Sequence, residues 1–405
     1  MSVLKNILIF LIFLFYGSLS FGKEIPLSMW VECEGSNKTL SSIDKIERMV
    51  EFSHSLGVED LFVQVYRGNR VWFNSSLAEK GLVDNYPYNT FKKKEEEDPL
   101  LYVIKEAHSR GIKVHAWVNT FRIAKNLKAP LLKTFGKEIV IVDNKGRSML
   151  DYPNLNIPGE EGKYFSTGSD GYWLNPGDSR VGDFLKDLII DLVKKYPGID
   201  GIHLDFVRYP YCVPYSPGSR WMKGVDFGYN RGNRSKFMGK YGLDPLNMEK
   251  DRLNCQNWDD FRRNTISDFV RDISKISGGK GNSRIEFSSA VLCWPDRAYF
   301  SAFQDWRRWM EEGFLDFIIS MNYGTDDRLV TYLSREAVSS GHNNKVYIGI
   351  GAYLLKKNPE KLYKQITDSV AAKADGITIF SYDAVKDIDS FKKTILKLRK
   401  ESILR

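Results

Sequence analysis

Short apolar strands alternate with amphipathic helices eight times along this chain, and that alternation limits its fold more than any single motif does. The strand-like runs are Leu27–Val31, Asp60–Tyr66, Ile112–Val118, Asp200–Phe206, Ile285–Cys293, Leu315–Met321, Lys345–Gly351 and Asp375–Ser381. Between and after them, apolar residues recur at helical spacing over Ser42–Leu56, Pro99–Arg110, Arg180–Tyr196, Trp258–Ile276, Ser301–Glu312, Asp327–Ser340, Pro359–Lys373 and Ile388–Arg399. Eight βα units in one series predict an α/β fold of the (β/α)8, TIM-barrel type. A doubly wound sheet uses the same units, but no Gly-rich phosphate loop follows the first strand. The excess length lies in the loops after strands two, three and four, all on the C-terminal face where barrel enzymes build their sites.

The chain has 405 residues and opens with Lys5, an apolar run Ile7–Tyr16 and a small-residue stretch Gly17–Gly22. That order predicts a signal peptide over residues 1–22, cleaved before Lys23, and export to the periplasm or medium. Residues 23–405 then form a single barrel domain with no membrane span, since no later stretch reaches the roughly 20 apolar residues that one needs. A formal net charge of +8 fits attraction to anionic wall polymers, or a lysine-rich solvated surface. There is no nucleic-acid motif, and the sequence is silent on oligomeric state. The acids of Lys92–Asp98 suit a solvated helix start. Export permits disulfides among Cys33, Cys212, Cys255 and Cys293, and the pair flanking the fourth loop, Cys212 and Cys255, is the one to test; free buried thiols are the alternative.

The chemistry concentrates at Asp200–Pro210, DGIHLDFVRYP. Side chains alternate along a strand, so His203 and Asp205 share the barrel-facing side, while Ile202, Leu204 and Phe206 face the helices. Asp205 therefore sits at the mouth beside Arg208 and Tyr209, and a charge there needs a reason. Glycosidic cleavage supplies one, because it uses two carboxyl groups around an oxocarbenium-like transition state. An Asp–Arg pair that only ties the loop down is the structural alternative. Asp383, Asp326 and Glu32, each just beyond a strand end, are joint candidates for the second carboxyl group, with Asp327 read as a helix cap.

Aromatic residues gather at the same rim: Trp117, Trp173, Tyr209, Trp294, Tyr323 and Tyr382. Flat rings stack on sugars, although some of these six are expected to be packing. Gln64, Arg67, His115, Asn119 and Asn175 are candidate hydrogen-bonding groups. His115 and His203 lie on adjacent strands, but without an HxH or HExxH pattern they read as hydrogen-bonding residues, with no metal and no cofactor required.

The stretch Trp173–Pro210, WLNPGDSRVGDFLKDLIIDLVKKYPGIDGIHLDFVRYP, resembles the bacterial glycosyl-hydrolase-like proteins of the family-10-like type. Leu61–Phe73, Gly111–Asn119 and Leu315–Gly324 fit the same resemblance, which spans nearly the whole mature chain. It implies a TIM barrel acting on polysaccharide, for some members bacterial wall glycan including peptidoglycan strands stripped of stem peptides. It carries over Asp205, Arg208 and Tyr209, with Asn175 and His203 in support. Two departures stand out: Phe206 replaces a second acid common after the motif Asp, and SMNY replaces a PMxY form. The expected activity is hydrolysis of a cell-wall polysaccharide. The rivals are a non-catalytic glycan-binding barrel and a metal-dependent hydrolase in which His115, His203 and Asp205 converge.

Overall fold

The computed structural model describes residues 24–75, 77, 98–168, 170–215, 224–248, 251–277, 285–341 and 344–405. The expected signal segment lies outside these residues, as does all of Lys92–Asp98 except Asp98. Eight strands form the barrel: β1 (Leu27–Val31), β2 (Val58–Arg67), β3 (Lys113–Asn119), β4 (Gly201–Asp205), β5 (Glu286–Leu292), β6 (Phe317–Met321), β7 (Lys345–Gly351) and β8 (Gly376–Phe380). Each pairs in parallel with its sequence neighbour, and β1 pairs with both β2 and β8, which closes the cylinder. The surrounding helices are α1 (Ile43–Ser55), α2 (Pro99–His108), α3 (Ser179–Lys195), α4 (Arg252–Ser277), α5 (Trp306–Glu311), α6 (Asp327–Ser339), α7 (Pro359–Ala371) and α8 (Asp389–Lys400). No described helix is long and apolar enough to cross a membrane.

Most element bounds agree with the sequence pattern to within two residues, and two differences have local causes. α4 starts six residues before Trp258, because Asp251 accepts the Asn254 amide (2.9 Å) and opens the helix there. The expected helix Ser301–Glu312 is instead a short helix Pro295–Phe300 followed by α5. Phe303 between them takes φ 53°, which no α-helix accommodates.

The barrel interior is filled rather than hollow. Trp30, Phe62, Trp117, Ala290, Phe317 and Ile319 form one buried cluster inside the cylinder, distinct from the larger core between strands and helices. Such large rings fit because the strands facing them carry glycine. A Cβ on Gly349 would lie 2.9 Å from the Trp30 ring and 3.1 Å from the Ser320 carbonyl. Trp30 cannot retreat without losing its indole hydrogen bond to His203. Gly349→Ala is therefore expected to destabilise the protein by about 1–3 kcal/mol through overpacking, measured as a lower denaturation midpoint at unchanged slope.

The loops after β3 and β4 are built together. Arg122–Ala124 pairs with Tyr172–Trp173 within the first, and Ser166–Thr167 of that loop pairs with Cys212–Val213 of the next. The fourth loop is tied down by the fully buried Arg262 of α4, which bonds Asp226 (2.8 Å), the Phe227 carbonyl (2.6 Å) and Asp259 (2.6 Å). No disulfide joins the four cysteines. Cys212 lies in the short strand pair, whereas Cys255 packs with Phe237 and Trp258, so the candidate pair named for testing is not joined.

Candidate active site

The site begins where β4 ends. Ile202 and Leu204 pack into the outer core, while His203 and Asp205 point into the barrel. Asn119 of β3 stands level with Asp205, and Thr120 donates both its amide and its hydroxyl to the Asp205 carbonyl (2.9 Å each). With its backbone held, Asp205 is 6% exposed. Its carboxylate accepts the Phe206 amide (2.6 Å) and the Trp117 indole (3.3 Å), with Arg208 at 3.9 Å. Burial pushes its pKa up against the opposing pull of Arg208, these donors and Arg122.

Phe206 does not face the helices as strand alternation predicts. The strand stops at Asp205, Phe206 takes φ 53°, and its ring turns into the rim. There it meets Trp173 edge-on (5.6 Å), with the guanidinium groups of Arg208 (4.7 Å) and Arg122 (4.9 Å) over it. Arg208 is buried, and its Nε and Nη1 find no hydrogen-bond acceptor among the described residues. Such donors beside a carboxylate are suited to an oxygen-rich ligand.

Glu32 follows β1 on the same rim. Ser381, just past β8, donates to it (2.8 Å), a contact made by barrel closure between residues 349 apart in sequence. Burial pushes the Glu32 pKa up, and Asp383 adds to the push, while Ser381 and Arg67 oppose it. Tyr323 lies on the same rim, just past β6. Burial raises its phenol, and the charges of Asp205 and Glu32 are among those that add to the rise. Tyr323 stacks on Phe380 (5.4 Å), with Tyr353 edge-on (6.1 Å) and Trp30 beneath (6.4 Å).

His203 lies one layer below. Trp30 Nε1 donates to its Nε2 (3.2 Å), so its proton sits on Nδ1 and is donated to Ser288 Oγ (2.9 Å). Burial, with His115 adding, pushes its pKa well below the usual histidine range, and the ring is neutral. It is a support for the site.

Several expected site residues are placed elsewhere. His115 stands level with Gly201, four residues before the rim, roughly 13 Å down the strand at 3.3 Å per residue. It bonds Asp60 (3.2 Å) at the N-terminal end of the barrel, out of reach of a ligand at the mouth. The sequence alternation placed it on the right face but not at the right depth. Asp383 accepts the Asn37 amide (2.8 Å) and the Thr39 hydroxyl (3.3 Å), anchoring the β1–α1 loop. Asp326, rather than Asp327, caps α6, taking the Arg328 and Leu329 amides (3.0 and 3.3 Å). Asp326→Ala is expected to cost about 0.5–2 kcal/mol of stability and to leave turnover intact, which parallel melting and rate measurements would separate.

Asn175 spends its amide on Asn233 and the Gly177 amide. Tyr209 is fully buried against Phe303 and Tyr382 packs on Phe52 of α1, so neither ring lines the mouth. Trp294 is half-buried with Arg297 over its face (4.4 Å) and Tyr332 beside it (6.1 Å). Gln64 donates to Asn119 (3.3 Å) in a buried pair beneath the rim, and Arg67 reaches Glu34 (3.4 Å) at its edge. Trp117 and Trp173 hold Asp205 and Phe206, as described. Sequence reasoning missed Trp30, Arg122, Phe206, Tyr353 and Phe380. Phe380 lies in the strand run Asp375–Ser381 just before the named Tyr382 and Asp383, whereas nothing in the pattern marked Tyr353.

The described residues bring one metal-type group together: single ligand atoms of Asp60, His115 and Glu286 lie within 4.8 Å of one another. It sits at the opposite end of the barrel from Asp205, and Lys113 already pairs with Glu286 (3.6 Å). At the mouth, the His203 nitrogen that a metal would need is taken by Trp30. His115, His203 and Asp205 therefore do not converge on a shared metal.

Comparison with known proteins agrees with this geometry. "Glycosyl hydrolase DigH" of Escherichia coli K12 is 26% identical over 336 residues, covering 77% of this chain and 65% of its own length. "Glycosyl hydrolase YngK" of Bacillus subtilis is 26% identical over 299 residues, covering 67% of this chain and 50% of its own. The chain thus spans about two thirds or less of these relatives' length. Among solved structures, the β-amylase catalytic domain of Paenibacillus polymyxa superposes with TM-score 0.57 at 14% identity, covering 93% of this chain and 99% of that one. The endo-β-1,4-mannanase of Thermotoga petrophila gives 0.50 at 12%, covering 95% and 78%. At such identities the likeness shows a shared (β/α)8 barrel. The glycosyl hydrolase-like 10 family matches residues 28–368, most of the barrel and both rim carboxyl groups, and this chain belongs to it.

Proposed function

We propose that this protein hydrolyses glycosidic bonds of a polysaccharide, with Asp205 as the ionised carboxylate and Glu32 as the proton donor. The observation that carries the reading is a pair of carboxyl groups beyond the ends of β4 and β1 on the barrel mouth: Asp205, held by the Phe206 amide and the Trp117 indole with Arg208 nearby, and half-buried Glu32, held by the Ser381 hydroxyl. Asp205 has two hydrogen-bond donors and Arg208 to support a negative charge. Glu32 has one hydrogen bond from Ser381 and a like charge in Asp383, an environment that favours the protonated form. Glu32 would pass its proton to the leaving oxygen as the C–O bond breaks. Asp205 would stabilise positive charge developing at the anomeric carbon, to which water finally adds as it gives a proton back to the Glu32 carboxylate. Tyr323, Phe380 and Tyr353 would stack on the sugar.

The reading extends to location and substrate. The basic start and apolar run of residues 1–22 support export. An exported wall-directed glycosidase would meet peptidoglycan strands, the substrate implied by the resemblance. The test is reducing-end release from purified peptidoglycan, intact and amidase-stripped, by the mature protein. Release from either supports hydrolysis, and the preferred form identifies the substrate. Binding without release by folded protein would replace this reading with a glycan-binding barrel.

A further inference from the structure

Beside the carboxylate mouth lies a cavity of about 470 Å³, within the roughly 300–1,000 Å³ range of small-ligand sites. Arg67, Arg70, Arg122, Lys125 and Lys128 line it, and Leu127, 53% exposed, adds an apolar wall. Among the described residues, two acids share the lining. Glu34 is taken by Arg70 (2.7 Å) and Arg67 (3.4 Å), and Asp170 by Lys125 (3.2 Å). Positive charge therefore exceeds negative inside a concave wall, where fields are strongest.

The cavity is built into the fold. Arg67 ends β2, and Arg122 begins the strand pair of the β3 loop, with its Nε held by the Asp170 carbonyl. Asn126 ties the two loops together through the Gly68 carbonyl (2.6 Å). Burial and the charges of Arg67 and Arg208 push the Arg122 pKa down to about 10, while Asp170 and Asp205 oppose that push. These like charges are crowded at the folded protein's expense, and an anion between them would relieve it. The cavity also opens one ring away from the chemistry, since Phe206 lies between Arg122 and Arg208, and Arg208 faces Asp205.

We infer that this cavity is a subsite for a carboxylate-bearing sugar unit next to the bond that is cleaved. The inference rests on the glycosidase reading above and deepens it. Guanidinium forks match a carboxylate in geometry as well as charge, while Leu127 would face the apolar side of the ring.

The probes are amidase-stripped peptidoglycan oligosaccharides, whose lactyl ethers end in free carboxylates, and the same oligosaccharides with those carboxyls reduced to alcohols. Binding is measured by calorimetry to Asp205→Asn protein, so that turnover does not interfere. Reduction of the carboxyls is expected to weaken binding about tenfold or more, and added salt to shrink the difference. Combining Arg70→Gln, Lys125→Gln and Lys128→Gln, all exposed positions, is expected to shrink the preference for the native over the reduced oligosaccharide severalfold, Arg67 and Arg122 keeping the rest. Equal binding of both probes, no binding of either, or a triple variant that discriminates as strongly as its parent overturns the subsite. Discrimination in binding without reducing-end release by wild type would keep the subsite and remove the hydrolytic reading. Equal cleavage of both probes would do the reverse.

Discussion

Asp205→Asn is expected to lower kcat/KM at least about a thousandfold, ~4 kcal/mol of barrier, while the protein becomes more stable at neutral pH. Both effects have one cause, a carboxylate buried where the reaction needs it. In the unfolded chain an aspartate titrates near about 3.9, and burial raises this value in the folded protein. Between the two values the folded state holds a proton that the unfolded state has released, so stability falls as pH rises through that window. Above it, the folded protein bears the whole cost of the buried charge. Asn bears none, so the variant should melt above wild type at pH 7, with the gap narrowing as pH falls toward 4. Circular dichroism melts at both pH values, read beside rates on wall glycan, check the pair of effects. A variant that is both inactive and less stable would point to Asp205 as a structural tie for the fourth loop.

Glu32→Gln is the second large effect. Loss of a proton donor is expected to cost about 10²–10⁴-fold in kcat. Its pattern is more telling than its size. Glu32 must be protonated to act, so wild-type activity should fall on the alkaline side as Glu32 ionises. Because burial and Asp383 raise its pKa, that fall should come at a higher pH than an exposed glutamate would give. In Glu32→Gln the alkaline fall should vanish. Activity on an aryl glycoside, whose leaving group needs no proton, should lose far less than activity on glycan. An alkaline limb that persists unchanged would assign the proton donor to another group and leave Glu32 with a positioning role.

These two residues differ in how far the sequence could reveal them. Asp205 was legible because β4 is a regular strand: period-two alternation places it beside His203, and the strand ends at the barrel mouth. Glu32 could only be one of three candidates, since each follows a strand. What separates it from Asp326 and Asp383 is contact: Asp326 is consumed by two helix amides and Asp383 by the β1–α1 loop. Glu32 instead accepts only the Ser381 hydroxyl among the described residues, a partner supplied just past β8 across the closure of the barrel.

By itself, the sequence determined the eight-unit barrel, the bounds of Leu27–Val31 and Lys345–Gly351, and the faces that Ile202, His203, Leu204 and Asp205 take on β4. These follow from local periodicity and from short connections between neighbouring elements. Depth along the barrel was decided only in three dimensions. His115 and Asp205 share an inward face, yet the stagger of neighbouring strands puts one at the closed end and the other at the mouth. The rim was decided there too. Phe206 left its strand at positive φ, and Arg67 at the end of β2, Arg122 of the third loop and Arg208 of the fourth met there, Arg122 and Arg208 near Asp205 and Arg67 and Arg122 in the wall of the cavity. No local pattern records such meetings, because they arise from loop closure between segments far apart in the chain.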